Sequence, residues 1–175
     1  MIQVKSLYKA FADKEVIKGI DATFEEGKTN LVIGRSGAGK SVFVKCMIGL
    51  IQPDRGEILF DGRNIVGMAK PELLRLRREM GMLFQGSALF DSMTVIENVL
   101  FPMEMFSHQS YDKSYHRALE LLERVGLADA AHKYPAEISG GMMKRTAIAR
   151  AIALNPKYLF CDEPNSGLDP KTSTV

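Results

Sequence analysis

Eight residues, Gly34-Arg35-Ser36-Gly37-Ala38-Gly39-Lys40-Ser41, constrain this chain more than any other feature of it. They fit the spacing GxxxxGK[ST] and lie between a short apolar run, Asn30 to Ile33, and a segment in which Val42, Phe43, Cys46, Met47 and Leu50 fall on one helical stripe. Glycines at these positions let backbone N–H groups turn inward toward a β-phosphate, and the start of the following helix adds its positive dipole. Lys40 supplies a charge for the β and γ phosphates, and the Ser41 hydroxyl is a magnesium ligand. Strand, glycine loop and helix in that order predict a nucleoside triphosphate site.

Elsewhere the apolar period alternates between two and 3.6, the pattern of an α/β chain. Strands are expected at Ile20 to Phe24, Asn30 to Ile33, Gly56 to Phe60, Gly81 to Phe84 and Lys157 to Cys161. Helices are expected over 40–50, from Pro71 past Leu76, over His116 to Val125, and from the glycines at 140 and 141 to about Leu154, where Pro156 ends it. With 175 residues, 46% of them apolar, the chain has the material for one domain with a core. Its net charge of +2 holds no basic excess that would indicate nucleic acid as a partner. The longest uncharged stretch, Met80 to Phe90, is 11 residues, too short to cross a bilayer, and Met1 to Lys5 starts no signal peptide, so a cytosolic chain is expected. Cys46 and Cys161 lie in apolar segments without metal-ligand spacing and are expected to be buried thiols. Arg75, Arg77 and Arg78 read as a solvated helix face.

Two further constellations carry chemistry. Tyr158 to Cys161 is an apolar run ending in Asp162-Glu163, which places carboxylates at the C-terminal edge of a parallel strand, where ligands of such sheets bind. Asp162 there can hold magnesium through water and Glu163 can polarise an attacking water. Alone, the pair reads equally as a strand end with solvated acids. Ile138-Ser139-Gly140-Gly141-Met142 opens a helix with Ser139 as its cap and two glycines leaving the start bare, a second anion site or simply a capped helix.

Together these residues resemble the ATP-binding subunit of an ATP-binding cassette (ABC) transporter. The phosphate loop at 34–41, Gln85 after an apolar strand, the signature at 138–142, Asp162-Glu163 and then Ser166-Gly167-Leu168-Asp169 fall in that family's order over essentially the whole chain. The resemblance implies a P-loop NTPase fold of ABC type: a RecA-like core, an antiparallel N-terminal β-subdomain and a helical signature subdomain inserted at about 86–136. It implies ATP and Mg2+ as ligands, Glu163 and Gln85 as catalytic residues, and Ser41, Gln85 and Asp162 around the metal. Phe11 falls where the family keeps an aromatic residue that stacks on adenine, although Phe11 alone also reads as a core side chain. Ser139, Gly140 and Gly141 are implied to bind the γ-phosphate held by a second copy, making an ATP-dependent homodimer, and Ser166 to Asp169 are the D-loop that couples the two sites.

Within the family, Asp91-Ser92 after the glutamine loop and Met142 in the signature resemble the ATPase of Mla-type MCE phospholipid transporters, as does Phe101-Pro102-Met103. This implies ATP hydrolysis on the cytoplasmic face of the inner membrane, under a permease. The run from Gly86 through Met105, apolar with few charges and rich in methionine, reads either as the surface that docks the permease or as side chains filling the core of the helical lobe. The family also carries a switch histidine beyond the D-loop, whereas His108, His116 and His132 all precede the signature and the sequence stops at Val175. A C-terminally incomplete cassette is therefore expected. The alternatives are a nucleotide-binding fragment without turnover and the ATPase of an importer for another substrate. A chromosome-type ABC ATPase is disfavoured because the 97 residues between Ser41 and Ser139 carry no sustained heptads.

Overall fold

The first strand begins with a local conflict that its neighbours resolve. Ile2, Val4 and Leu7 are buried on one face of β1 (Ile2–Phe11) although the last step spans three residues. Ser6 takes a φ of 46° and the register shifts between Val4 and Leu7, so an extra residue is absorbed as a bulge. The displaced Ser6 N–H donates to Asp21 Oδ1 at 2.8 Å. Opposite the bulge lies Gly56, at a φ of 104°, where a Cβ would strike the Lys5 and Ser6 carbonyl oxygens and Leu7 Cα. The chain can pass there only as glycine.

The computed structural model of the chain describes residues 1–162; Glu163 and the segment 166–169 lie outside the described residues. Two compact units divide the chain after Arg77. In the first, β1, β2 (Lys14–Phe24), β3 (Arg55–Phe60) and β4 (Arg63–Asn64) form an antiparallel sheet in the order β2-β1-β3-β4. Helix α1 (Lys40–Met47) buries Phe43, Cys46 and Met47, with the Phe43 ring 6.3 Å from that of Phe24 in β2. Helix α2 (Lys70–Arg77) follows, and its last residue corrects the expectation of a solvated basic face. Arg77 donates to the carbonyls of Gly49 at 2.7 Å and Ile48 at 3.4 Å, satisfying acceptors just beyond the end of α1.

The expected strand at Asn30 to Ile33 is not formed. Among the described residues this run has no ladder partner, and Leu31 and Ile33 are each 82% exposed. Apolar content predicts a strand only where a neighbouring backbone completes the hydrogen bonds, and a sequence window does not contain that neighbour.

In the second unit β5 (Met80–Leu83) pairs in parallel with β6 (Tyr158–Cys161). Helices α3 (Val95–Phe106), α4 (Tyr111–Arg124) and α5 (Gly140–Ala151) pack around Val95, Val99, Leu100, Leu121, Leu122 and Ala149. Helix α3 opens with a capping box in which Thr94 Oγ1 accepts from Glu97 N–H and Glu97 accepts from Thr94 N–H. Helix α5 ends three residues before the expected Leu154, and Cys161 is exposed, so only Cys46 fits the expectation of a buried thiol. Alternation in β6 explains this: Tyr158 and Phe160 take the buried face, which leaves Leu159 and Cys161 on the other.

The Gly56 approach yields a stability prediction. Gly56→Ala combines a left-handed φ with backbone overlap, so it should cost about 3 kcal/mol, read as a lower urea midpoint at unchanged slope.

Candidate nucleotide site

Loop 34–39 is held in shape by its own backbone. Ala38 N–H donates to the Arg35 carbonyl at 3.1 Å, and Gly37 and Gly39 take left-handed φ values of 75° and 93°. The two glycines are required for different reasons. A Cβ at Gly37 would meet nothing within 4 Å, so only its φ demands glycine, whereas a Cβ at Gly39 would lie 2.8 Å from Val16 Cγ1 and 3.2 Å from the Val16 carbonyl oxygen. Strand β2 thus lies against the loop at the point where α1 begins. Gly34 to Ala38 are exposed and Gly39 is half-buried, and Lys40 reaches back from α1 so that Nζ donates to the carbonyls of Gly34 at 2.9 Å and Arg35 at 3.1 Å. An ammonium on a loop of exposed small residues, at a helix start whose first turn carries no acid, fits a polyphosphate. Ser41 follows, half-buried, in the first turn of α1.

Phe11 ends β1 with 46% of its surface exposed, so it is not a core side chain. The Lys9 ammonium lies 5.3 Å from its ring centroid.

In the second unit, the parallel ladder brings Gln85 and Asp162 to one edge of the sheet. Asp162 N–H donates to the Leu83 carbonyl at 2.9 Å, extending the β5–β6 ladder by one bond, and Gln85 lies two residues beyond Leu83. Asp162 is buried and Gln85 exposed. After Gln85 the chain makes three consecutive left-handed turns, at Gly86 (79°), Ser87 (68°) and Ala88 (47°). Two side chains that the sequence did not single out stabilise this strained path. Arg150 of α5 donates to the Ser87 carbonyl at 2.8 Å, with its guanidinium 5.8 Å from the Phe90 ring centroid, and its burial lowers its pKa. Asn98 of α3 is fully buried, accepts from Phe90 N–H at 2.8 Å, and donates to the carbonyls of Phe90, Met93 and Thr94. An amide beside Val95, Ile96, Val99 and Leu100 was the visible signal, since a polar group on an apolar helix face needs partners.

Ser139 caps α5, its Oγ accepting from Met142 N–H at 3.3 Å. Gly140 and Gly141 are exposed, and a Cβ on either would meet no atom closer than 4.0 Å. Among the described residues no three His, Cys, Asp or Glu side chains gather as a metal site. Ser41 in the first unit, and Gln85 and Asp162 in the second, each carry an oxygen donor of the kind that a hard ion such as magnesium takes.

Residues 17–166 match the family described as ABC transporter. The chain belongs to that family. It is 42% identical over 169 residues to the Mycobacterium leprae protein named "Probable ribonucleotide transport ATP-binding protein mkl", a match covering 97% of this chain and 49% of that protein. It is 44% identical over 176 residues to the methionine import ATP-binding protein MetN of Carboxydothermus hydrogenoformans, covering 99% of this chain and 52% of MetN. The chain therefore spans about half the length of these relatives. Among solved structures it is similar to the ATP-binding cassette MJ0796, in a dimeric post-hydrolysis state bound to ADP and Pi, with a TM-score of 0.88 and 32% identity over 98% of this chain and 78% of that one. A second dimeric structure of MJ0796, described as a bacterial ABC transporter cassette, gives a TM-score of 0.90 at the same identity. The fold is that of an ABC cassette, as the order of motifs led one to expect.

Lys40 generates the prediction for this site. Lys40→Ala should lower MgATP affinity at least about tenfold in titration calorimetry, the loss of one charge-assisted phosphate contact. Unchanged affinity would remove the loop from the site.

Proposed function

We propose that this ABC cassette binds MgATP on Gly34 to Ser41 and hydrolyses it to drive transport through a membrane-embedded permease. The observation that carries the reading is the exposed glycine loop with Lys40 folded onto it, in a chain that also presents a second bare helix start at Ser139 to Gly141. On this reading the loop amides and Lys40 hold the triphosphate and Phe11 takes the adenine. Ser41, Gln85 and Asp162 hold magnesium, which offsets phosphate charge when bound. Glu163, outside the described residues, accepts the proton of the attacking water at its carboxylate. Two anion-binding helix starts in one chain support a dimer in which Ser139, Gly140 and Gly141 of one copy meet the γ-phosphate held by the other. Glu163→Gln in the complete protein should retain MgATP affinity while turnover falls at least about a hundredfold, and that variant should sediment as a dimer only with saturating MgATP. A monomer under those conditions removes the dimer, and undiminished turnover removes Glu163 as base.

For the cargo, Asp91-Ser92 and Met142 support phospholipid and an MCE-type permease at the inner membrane's cytoplasmic face. No helix among the described residues is long and apolar enough to cross a membrane. A second reading, an importer of small polar cargo, is favoured by the relatives named for ribonucleotide and methionine transport. Reconstitution of the complete protein with the permease encoded beside it separates them: phospholipid transfer between vesicles supports the first, ATP-driven methionine or ribonucleotide uptake the second.

Within the segment proposed to dock the permease, Val95, Val99, Leu100 and Met103 are buried in the helical core, which leaves Phe90 and Met105 as its exposed large apolar side chains. Phe90→Glu should therefore uncouple ATP hydrolysis from transport in the reconstituted complex while leaving MgATP affinity within about twofold. Normal transport by this variant would remove the docking site.

A further inference from the structure

The end of β1 is fastened by one carboxylate. Asp54, the residue before β3, donates its own N–H to the Tyr8 carbonyl at 2.9 Å. Its two carboxylate oxygens are divided between neighbours of Phe11: Oδ1 takes the Lys9 ammonium and Oδ2 takes the Ala10 N–H, each at 2.7 Å. The β1–β3 ladder ends at the Tyr8 and Arg55 pair, so this carboxylate replaces the strand partner that Ala10 lacks on that side. Lys9 is fixed in consequence. Its side chain is only 15% exposed, and the ammonium lies over the half-exposed Phe11 ring, 5.3 Å from the centroid.

We propose that Lys9 and Asp54 are positioning residues for the nucleotide base, Asp54 holding the Lys9 ammonium on one face of Phe11 so that the opposite face is the one presented to adenine. This rests on the reading that Phe11 takes the base. A cation behind the ring draws π density toward itself, which makes the open face a better partner for an electron-rich purine. The same pair ties the platform to the phosphate loop. Asp54 sits on the segment that leads on from α1, the helix that begins at Lys40, and Val16 of the paired strand β2 abuts Gly39. Base and phosphate sites are thereby held in one unit at two points. The Lys9 ammonium and the Ala10 N–H keep the Asp54 carboxyl below its ordinary range, so Asp54 stays charged at neutral pH.

An ion pair this close to solvent adds little to global stability, so its effect should appear in ligand choice. The test compares MgATP with magnesium tripolyphosphate, which has the phosphate chain and no base, by titration calorimetry at constant ionic strength on the 175-residue chain. Asp54→Asn keeps an acceptor for Ala10 and loses the charge, while Lys9→Met keeps the stem and loses the ammonium. Each should weaken MgATP about fivefold and leave tripolyphosphate within about twofold. Lys9→Arg should retain MgATP affinity within about twofold. Phe11→Ala should cause a loss of similar size, and adding Asp54→Asn to it should change affinity no further, because the two act through one contact. Equal losses for both ligands would show that the pair acts on the fold or the phosphate loop and would overturn the proposal. So would full MgATP affinity in Asp54→Asn and Lys9→Met while Phe11→Ala is weakened. If Phe11→Ala binds MgATP normally, the base reading fails and takes the proposal with it. Circular dichroism of each variant checks its fold, and the Lys9 substitutions carry the test if Asp54→Asn does not fold.

Discussion

A backbone can turn its amides toward a polyphosphate only if it reverses within a few residues and nothing fills the space it encloses. In this cassette that requirement meets a second one at Gly39, where β2 passes so close that a Cβ would overlap Val16. The close approach fixes where α1 starts and so where Lys40 projects. It also ties the β1–β2 hairpin, with Phe11 at the end of its first strand, to the loop. The bulge at Ser6, the glycine opposite it at Gly56 and the Asp54 clamp keep that hairpin in register with β3.

The second unit meets a different difficulty. Three successive residues after Gln85 take positive φ, two of them without the freedom of glycine, and such a path persists only when its surroundings overdetermine it. Arg150 and Asn98 supply that restraint from opposite ends of the turn, one from α5 and one from α3. Since α5 is also the helix capped by Ser139, a movement of its start would be felt at the Ser87 carbonyl through a single rigid element.

Features set by local chemistry were legible in the sequence. Gly34 to Ser41 announced a loop and a helix because both glycine backbone freedom and the apolar stripe of α1 are short-range properties, and β3, β5 and β6 were each found to within a residue or two. What was missed depends on distant partners. Asn30 to Ile33 has strand composition and no ladder among the described residues, while Arg77 looked solvated because the carbonyls it meets, at Ile48 and Gly49, are nearly thirty positions away. Nothing near Asp54 in the sequence pointed to Lys9, 45 positions away. The helix of α3 was obscured by Pro102, which the structure carries inside the helix with a capping box at its start.

The distribution of acids at helix starts bears on function more directly than any one contact. An acidic residue in a first turn stabilises a helix by about 0.3–1 kcal/mol through the dipole, and α2, α3 and α4 each have one, at Glu72, Glu97 and Asp112. Helices α1 and α5 have none. They are also the two whose starts carry glycine, Gly39 before α1 and Gly140-Gly141 in α5, where a ligand can approach the backbone. A side chain acid in either place would occupy the amides and repel a phosphate, so forgoing it costs helix stability and leaves those amides open, as the proposed phosphate contacts require. That the same omission occurs at both Lys40 and Gly140, and at no other α-helix among the described residues, is what a cassette needs if one copy binds nucleotide on α1 and offers α5 to the nucleotide of another.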